Sequence, residues 1–378
     1  MPPPSSEADG LFIGLMSGTS ADGIDGCLVA LGDDTPTQVI AHRYYPFDPT
    51  LRERILAAMR STSLVDAAEL DARLADEAAA VTHSLVEGRN IDANPIRAIG
   101  CHGPTLLHQP KADYPTSVQI TDPNRLAVLS GVDIVTDFRR ADIAAGGEGA
   151  PLTPAFHAAM FTAQDEARAV LNLGGIANLT LLPAAGNAPI RGFDTGPANV
   201  LLDLWCTRTT GATYDHDGAQ AARGQIDERL LAHLLDDPYF SRSPPKSTGR
   251  EHFNAAWLDA RRAKVPATVA AADVQATLAE LTARTVADAL AAEMPQAQRL
   301  LVCGGGAYNR HLMGRLAHLL PGAVVESTAP YGLPPQQVEA AAFAWLARQR
   351  LLCRAGNLPA VTGARQSLVL GAHTRAPQ

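Results

Sequence analysis

The sequence predicts an α/β protein made of two α/β domains with a cleft between them. Short apolar segments with the length of buried strands alternate with longer segments whose apolar residues recur at helical spacing. At 378 residues the chain exceeds the size of one ordinary domain. Each half begins with two strands joined by a glycine-rich turn and then alternates strands with helices.

The elements of the first half follow from apolar runs and turn residues. Segments 11–16 and 27–31 are apolar runs on either side of a turn-rich stretch, which predicts two strands. Apolar residues at helical spacing predict helices, and a segment that starts with Asp and Pro predicts one more. The further elements expected, in chain order, are helices 51–61 and 65–87, strand 96–100, a hairpin-like segment up to residue 120, helix 122–129 and strand 132–136.

The second half repeats the alternation after the glycine-rich stretch 144–151, where we place the domain boundary. The elements expected there are strands 169–173 and 177–182, helices 198–206, 227–235 and 274–293, strand 300–303, helices 308–319 and 338–352, and a final loop 358–370. We expect the last helix to pack back onto the first domain. That domain then comprises 1–143 plus 338–378, and the second comprises 144–337.

Composition and charge exclude several classes of protein. The net charge is 31 − 39 = −8, and no Lys/Arg-rich stripe is present, so we expect no nucleic-acid partner. The five cysteines are scattered without Cys-x-x-Cys spacing, which predicts buried free thiols in a reducing compartment. No segment approaches the ~20 apolar residues of a membrane span, and the first ten residues lack the features of a signal peptide. We expect a cytoplasmic protein without a membrane partner.

The first candidate site is the turn within 16–26, which contains three small hydroxylated residues and three glycines. Backbone N–H groups in such a turn bind phosphate, and Asp22 or Asp25 can hold Mg²⁺ directly or through water. No Gly-Lys-Ser/Thr follows, so the turn is not a Walker A loop. A plain glycine hairpin is an equally good interpretation. The nucleotide-binding residues expected here are Gly18, Thr19, Ser20, Ala21, Asp22, Gly23, Ile24 and Asp25.

The second candidate is Asp194, which we place at the end of a strand and before Thr-Gly and a helix. Open α/β sheets bind ligands at such strand ends. A carboxylate there can accept a proton from an attacking hydroxyl or water in phosphoryl transfer. The alternative is that Asp194 caps the following helix, although Pro197 at a first helical position leaves the cap to Gly196.

The third candidate is the triple glycine Gly304, Gly305 and Gly306, between a strand and a helix. Glycines there allow a base or ribose to lie against the backbone, and we expect them to bind nucleotide; a tight turn is the simpler interpretation. A phosphate hairpin, a strand-end Asp and a glycine turn together form a set that recurs in the superfamily of sugar kinases, Hsp70 chaperones and actin.

The chain resembles the anhydro-N-acetylmuramic acid kinases from about residue 11 to residue 371. The matching stretches are 14–20, 22–25, 137–140, 146–152, 171–178, 192–197, 245–251, 304–306, 338–340, 342–347, 357–359 and 361–364. Three positions depart from the family pattern: Pro104 and Glu148 stand where glutamine is expected, and Ala198 where glycine is common.

The resemblance implies the two-domain sugar kinase/Hsp70/actin-like fold with a nucleotide cleft, ATP and Mg²⁺ as cofactors, and a sugar as the small-molecule substrate. It implies that water opens a 1,6-anhydro sugar at C1 while O6 receives the γ-phosphoryl group. The product is N-acetylmuramic acid 6-phosphate, in peptidoglycan recycling. Asp194 is then the base that acts on water. A homodimer is expected, although the sequence itself does not fix the oligomeric state.

Four further residues are candidates for substrate binding. Arg139 and Arg140 follow a strand end, and a guanidinium suits the lactyl carboxylate of muramic acid; solvated or paired surface arginines explain them equally well. His102 either lines the sugar pocket or is a structural histidine. Glu339 begins a helix that is otherwise largely apolar, so it either has a polar task or stabilises the helix N-terminus.

Two other functions fit the motifs. A related superfamily kinase would phosphorylate a sugar with a free hydroxyl, and Asp194 would then deprotonate that hydroxyl. A nucleotide-binding switch without enzymatic activity is the second alternative. A regulator of this kind usually carries a DNA-binding or peptide-binding appendage, for which the segments outside 11–370 are expected to be too short.

Overall fold

The computed structural model describes residues 9–18, 20–33, 36–89, 95–184, 188–265 and 268–377. Thr19, a predicted nucleotide-binding residue, lies outside the described residues. The chain forms two compact units, a first unit of Met1–Phe156 with Gly332–Gln378 and a second unit of His157–Tyr331. The glycine-rich stretch 144–151 therefore lies inside the first unit and not at its border. The assignment of domains to 1–143 plus 338–378 and to 144–337 stays a prediction.

The first unit is built on a six-stranded sheet. Its strands are β1 (Gly10–Met16), β2 (Gly23–Leu31), β3 (Gln38–Pro46), β4 (Ile96–His102), β7 (Ile134–Thr136) and β13 (Ala372–Thr374), with a separate ribbon of β5 (Thr105–Gln109) and β6 (Thr116–Gln119). The sheet order is β13-β7-β4-β1-β2-β3, with β1 antiparallel to β2 and parallel to β4. The helices are α1 (Pro49–Ala58), α2 (Leu64–Val86), α3 (Pro123–Ser130), α4 (Arg140–Ala144), α5 (Thr153–Phe161, which continues into the second unit), α11 (Val338–Leu351) and α12 (Pro359–Thr362).

The second unit has a five-stranded sheet. Its strands are β8 (Arg168–Leu173), β9 (Ile176–Leu182), β10 (Arg191–Pro197), β11 (Arg299–Cys303) and β12 (Val324–Ser327), in the sheet order β10-β9-β8-β11-β12. Its helices are α6 (Asn199–Thr210), α7 (Glu228–Leu235), α8 (Ala255–Arg262), α9 (Ala271–Glu293) and α10 (Arg310–Leu319). The α/β class predicted from the sequence is confirmed.

Side-chain caps explain where most of the predicted helices begin. The residues whose side chains accept a backbone N–H at a helix start are Asp48, Ser63, Asp122, Asp227, Asn254 and Asn309. Within the described ranges, no helix has both the length and the apolar character to cross a membrane. Four of the five cysteines are buried as predicted, but Cys353 is exposed.

Two glycines let α11 lie directly on the central strands of the first unit. A Cβ on Gly14 in β1 would overlap the carbonyl oxygen of Ala340, and one on Gly100 in β4 would overlap that of Phe343. Glycine is therefore required at both strand positions by the close approach of the helix backbone. The segment after residue 332 thus contributes to the core of the first unit.

We expect Gly100→Ala to destabilise the first unit, because its Cβ would force α11 away from β4. Overpacking of this kind costs about 3 kcal/mol at the upper end of its range, and thermal unfolding measures the loss. The matched control is Gly314→Ala in α10, where an added Cβ meets no atom within 4 Å. There, alanine is expected to stabilise the helix by up to ~1 kcal/mol. A Gly100→Ala protein as stable as the wild type would contradict the packing argument.

Candidate active site

The predicted phosphate-binding turn is shorter than expected, since β2 already begins at Gly23. The turn is closed by the Ala21 N–H, which donates to the Gly18 carbonyl at 3.2 Å. Ser20 Oγ donates to Asp22 Oδ1 at 2.7 Å, and Asp22 is exposed. Ala21 has a φ of 48°, a conformation that side chains other than glycine seldom adopt. The turn therefore exposes one carboxylate in a constrained backbone.

The other predicted turn residues belong to β2. Ile24 is buried in the core with 4% exposure, so its side chain is not available to a nucleotide. Asp25 lies opposite Met16 across the hairpin, and its Oδ1 accepts a hydrogen bond from His42 Nε2 at 2.8 Å. Of the two predicted carboxylates, Asp22 is thus the more accessible one.

His102 and Arg139 come together at the end of β4. The Nε–H of Arg139 donates to His102 Nε2 at 3.0 Å, and its Nη1 donates to the Gly149 carbonyl at 2.7 Å. Burial lowers the pKa of Arg139 to about 10, and the charge of Glu339 partly offsets this. The structure therefore groups His102, Arg139 and Glu339, three of the four predicted substrate residues.

The fourth predicted substrate residue, Arg140, is held differently. Its Nε donates to Asp137 Oδ1 at 2.8 Å, and the guanidinium is exposed. This partner raises the pKa of Arg140. Arg140 and Asp137 border a cavity of about 290 Å³ that His102 also lines, together with Ser117 and Gln119.

Sequence reasoning missed Asp142, a fully buried carboxylate that holds the glycine-rich loop. Its Oδ1 accepts from Asn357 Nδ2 at 2.6 Å and from Thr362 Oγ1 at 2.7 Å. Its Oδ2 accepts from the Gly149 N–H at 2.8 Å. Since the Gly149 carbonyl receives Arg139, this network fixes the position of that arginine. The polar residues of stretches 357–359 and 361–364 were the only sequence signal for it.

Asp194 lies inside β10 and not at its end, because the strand continues to Pro197 past a register shift between Asp194 and Gly196. The prediction that Pro197 begins a helix is therefore wrong. Asp194 Oδ2 accepts from the Thr248 N–H at 3.0 Å. Burial raises the pKa of Asp194 to about 6; Thr248 partly offsets this effect, and Glu251 adds to it. Such a carboxylate is a suitable general base near neutral pH.

The pH dependence of turnover should show this raised pKa. If Asp194 is the general base, it can accept a proton only when it is ionised, so kcat/KM should fall about tenfold per unit as the pH drops below about 6, and should level off above it. Asp203 also has a pKa raised to about 6 by burial. The Asp203→Asn variant should therefore keep the same profile. A wild-type profile that stays flat from pH 7 to pH 4.5 would contradict the assignment of Asp194.

The helix after Asp194 does not offer a free N-terminus. The N–H groups of Ala198 and Val200 donate to the Gly175 carbonyl, and that of Asn199 donates to Gly174. Asp194 does not cap this helix: its Oδ2 is bound to Thr248. The capping alternative for Asp194 is therefore wrong.

The triple glycine forms a tight turn, as its simpler interpretation has it, since Gly305–Tyr308 is a 3₁₀ helix after β11. Gly304 has a φ of 78°, and its Cβ would overlap Asn172 Oδ1. A Cβ on Gly306 would lie 2.5 Å from that of Leu173. Packing alone thus requires Gly304 and Gly306. Their contact with a nucleotide stays a prediction.

No group of three His, Cys, Asp or Glu side chains is placed to hold a metal ion within the described part of the chain. Mg²⁺ that accompanies a nucleotide needs only one or two carboxylates, with phosphate oxygens and water as its other ligands. The exposed Asp22 and the neighbouring Asp25 fit this donor set.

Comparison with known proteins assigns the chain to a family. The model of the family described as anhydro-N-acetylmuramic acid kinase matches residues 10–376. The anhydro-N-acetylmuramic acid kinase of Xanthomonas axonopodis pv. citri is 53% identical over 367 residues, which cover 96% of this chain and 97% of that protein. The Pseudomonas paraeruginosa enzyme of the same name is 48% identical and covers 96% of this chain and 98% of its own length.

Among solved structures, a ROK family glucokinase from Streptomyces griseus, in complex with glucose and AMPPNP, is similar with a TM-score of 0.41 and 16% identity. The match covers 90% of this chain and 100% of that one. The identities to the named kinases, near 50% over almost the whole length, exceed what a shared fold alone produces. Membership of a kinase family also supports the use of ATP. The chain belongs to the anhydro-N-acetylmuramic acid kinase family.

Proposed function

We propose that this protein is an ATP-dependent kinase that hydrolytically opens 1,6-anhydro-N-acetylmuramic acid and phosphorylates its O6. The observation that carries the proposal is the family match over residues 10–376. The product is N-acetylmuramic acid 6-phosphate with ADP, which serves peptidoglycan recycling. We also propose that the reaction takes place in the cytoplasm and that the enzyme is a homodimer.

The chemistry requires one base and one leaving oxygen. O6 of the anhydro sugar is an ether oxygen bonded to both C6 and C1. It carries no proton that a base could remove, so it cannot accept a phosphoryl group until the C1–O6 bond breaks. Water attacks C1 and gives its proton to Asp194, while the C1–O6 bond breaks and its electron pair goes to O6. O6 then attacks the γ-phosphorus, and the bond from the γ-phosphorus to the ADP oxygen breaks. The raised pKa of Asp194 suits it to accept that proton.

Residues 18–25 are proposed to hold the phosphates, and the turn 304–306 to hold the nucleoside. Asp22, with Asp25 next to it, would hold Mg²⁺. When bound, the ion offsets the negative charge of the phosphates and of the transferring group.

Arg139 is a better candidate than Arg140 for the lactyl carboxylate of the sugar. Arg140 is exposed and already paired with Asp137. Arg139 is anchored by two hydrogen bonds beside His102, and a guanidinium with a pKa of about 10 stays charged at neutral pH. A preoriented cation in a partly buried setting binds a carboxylate more strongly than a solvated one.

The direct test incubates the protein with ATP, Mg²⁺ and the anhydro sugar in ¹⁸O-water, with mass spectrometry of the products. We expect a sugar phosphate that carries one ¹⁸O at C1 and none in the phosphate. A parallel reaction with N-acetylmuramic acid, whose O6 is free, tests the alternative kinase. Product from that sugar alone would overturn the proposal, and so would label found only in released phosphate, since the enzyme would then be an ATPase.

A further inference from the structure

Asp194 is held at three points by one loop, residues 236–254 between α7 and α8. Its N–H donates to the Lys246 carbonyl at 3.1 Å, and its carbonyl accepts from Tyr239 Oη at 2.8 Å. Its carboxylate Oδ2 accepts from the Thr248 N–H at 3.0 Å. Because β10 lies at the edge of its sheet, the loop supplies the backbone partners that a further strand would otherwise supply. The position of Asp194 therefore depends on the loop.

The loop is itself fastened by Asp237, which is 7% exposed. Asp237 Oδ1 accepts from the Tyr239 N–H at 2.9 Å. Asp237 Oδ2 accepts from Trp257 Nε1 at 2.8 Å and from Arg261 Nη2 at 2.5 Å, both on α8. His252 Nε2 lies 3.2 Å from the same oxygen. A carboxylate has about four lone-pair sites. Four donors occupy them, so Asp237 has no capacity left for a ligand.

His252 connects Asp237 to the part of the loop that binds the Asp194 carboxylate. An ionised carboxylate only accepts, so the hydrogen of the neutral ring lies on Nε2. Nδ1 is then left to accept from Thr248 Oγ1 at 3.5 Å. The ring lies flat on Phe253, with centroids 4.3 Å apart and planes 3° apart, which fixes the direction of both nitrogens.

We propose that Asp237 is a positioning residue, which fixes the 236–254 loop and thereby orients the Asp194 carboxylate. The proposal rests on the proposed function, in which Asp194 takes a proton from the water that attacks C1. One route from Asp237 runs through Tyr239, whose N–H is bound by Asp237 and whose hydroxyl binds the Asp194 carbonyl.

The second route, through His252 to Thr248, also sets the strength of the base. Burial raises the pKa of Asp194 to about 6, and the Thr248 N–H partly offsets this rise. A hydrogen bond donated to a carboxylate favours its ionised form. If the loop loosens, this bond weakens and the pKa of Asp194 rises further. A residue that served only the stability of the fold would leave that pKa unchanged.

Asp237→Asn should disturb both routes. Its amide oxygen is expected to stay where three donors meet, which places the amide nitrogen against the Tyr239 N–H, and the uncharged oxygen binds His252 more weakly. Misplacement of the base should lower kcat by roughly tenfold to 10²-fold. The acid limb of kcat/KM should move to higher pH by roughly one unit.

The matched control is Asp227→Ala, which removes the side-chain cap of α7 in the same unit. It should lower the melting temperature and leave kcat and the acid limb unchanged.

His252→Phe interrupts the second route alone. Phenylalanine keeps the stacking on Phe253 and removes both ring nitrogens. The His252 side chain is 32% exposed, so the fold should tolerate the change. The pKa of Asp194 should again rise and kcat should fall. If Asp237→Asn does not fold, His252→Phe decides the question.

NMR titration of protein labelled with ¹³C at the aspartate carboxyls measures the pKa of Asp194 without any turnover. The signal is the one that disappears in Asp194→Asn. A raised pKa with a lowered kcat in either variant supports the proposal. The proposal is overturned if every variant that folds keeps the wild-type pKa of Asp194 or the wild-type kcat at pH 8. A wild-type protein that makes no product from the anhydro sugar contradicts the proposed function instead, while the titration still tests the link between Asp237 and Asp194.

Discussion

Asp194→Asn should lower turnover by roughly 10²–10⁴-fold, the range for loss of a general base. The asparagine keeps the shape and can still accept the Thr248 N–H, so only the proton acceptor is lost. ATP affinity should barely change, because we propose that residues 18–25, and not Asp194, bind the phosphates. Steady-state kinetics with the anhydro sugar and calorimetric titration with ATP measure the two effects.

Stability provides the control for this variant. Burial raises the folded-state pKa of Asp194 above its unfolded value, so the folded protein binds this proton more tightly. The carboxyl therefore lowers stability above pH 6 and no longer does so below the unfolded pKa, near 4. We expect Asp194→Asn to unfold at a higher temperature than the wild type at pH 8. A stable variant with near-normal turnover would rule out Asp194 as the base, and Asp203→Asn should retain full activity.

Asp142→Asn is expected to cost about 3 kcal/mol of stability. The buried carboxylate accepts a hydrogen bond from each of its three partners, and an amide nitrogen cannot accept one. An amide nitrogen at either oxygen position opposes a donor: Gly149 N–H on one side, or Asn357 Nδ2 on the other. The loop that anchors Arg139 should loosen, and the KM for the sugar should rise by about tenfold, equivalent to ~1.4 kcal/mol. Thermal unfolding and sugar titration measure both effects.

The exposed Asp113→Asn is the control for charge alone and should change neither stability nor KM. If Asp142→Asn loses stability while the KM for the sugar stays at its wild-type value, the network serves the fold only. In that case Arg139 either holds its position without Gly149 or does not contact the sugar.

The sequence predicted those elements whose side chains are buried in a regular pattern. β1, β4 and β11 are buried apolar runs, and their positions were predicted within two residues. β3 (Gln38–Pro46) and β12 (Val324–Ser327) were missed, since both lie at sheet edges and lack a continuous apolar run of strand length. The extension of β10 to Pro197 was missed for a similar reason, because only an edge strand accommodates proline.

Sequence analysis found candidate site residues where carboxylate or hydroxyl side chains and glycines occur together in one short segment, as in the turn 16–26 and around Asp194. It could not find Asp142, whose partners Asn357 and Thr362 are 215 and 220 positions away along the chain.

The division of the first unit into two chain segments has a consequence for biosynthesis. Residues 1–156 leave the ribosome long before α11, whose backbone covers Gly14 and Gly100. Until then the apolar face of β1 and β4 lacks its cover, and an uncovered sheet of this kind is prone to aggregation. The second unit, by contrast, is a single continuous segment and can fold while it is being translated. Chaperone demand should therefore peak while the second unit is being synthesised and fall once residues 338–351 have emerged.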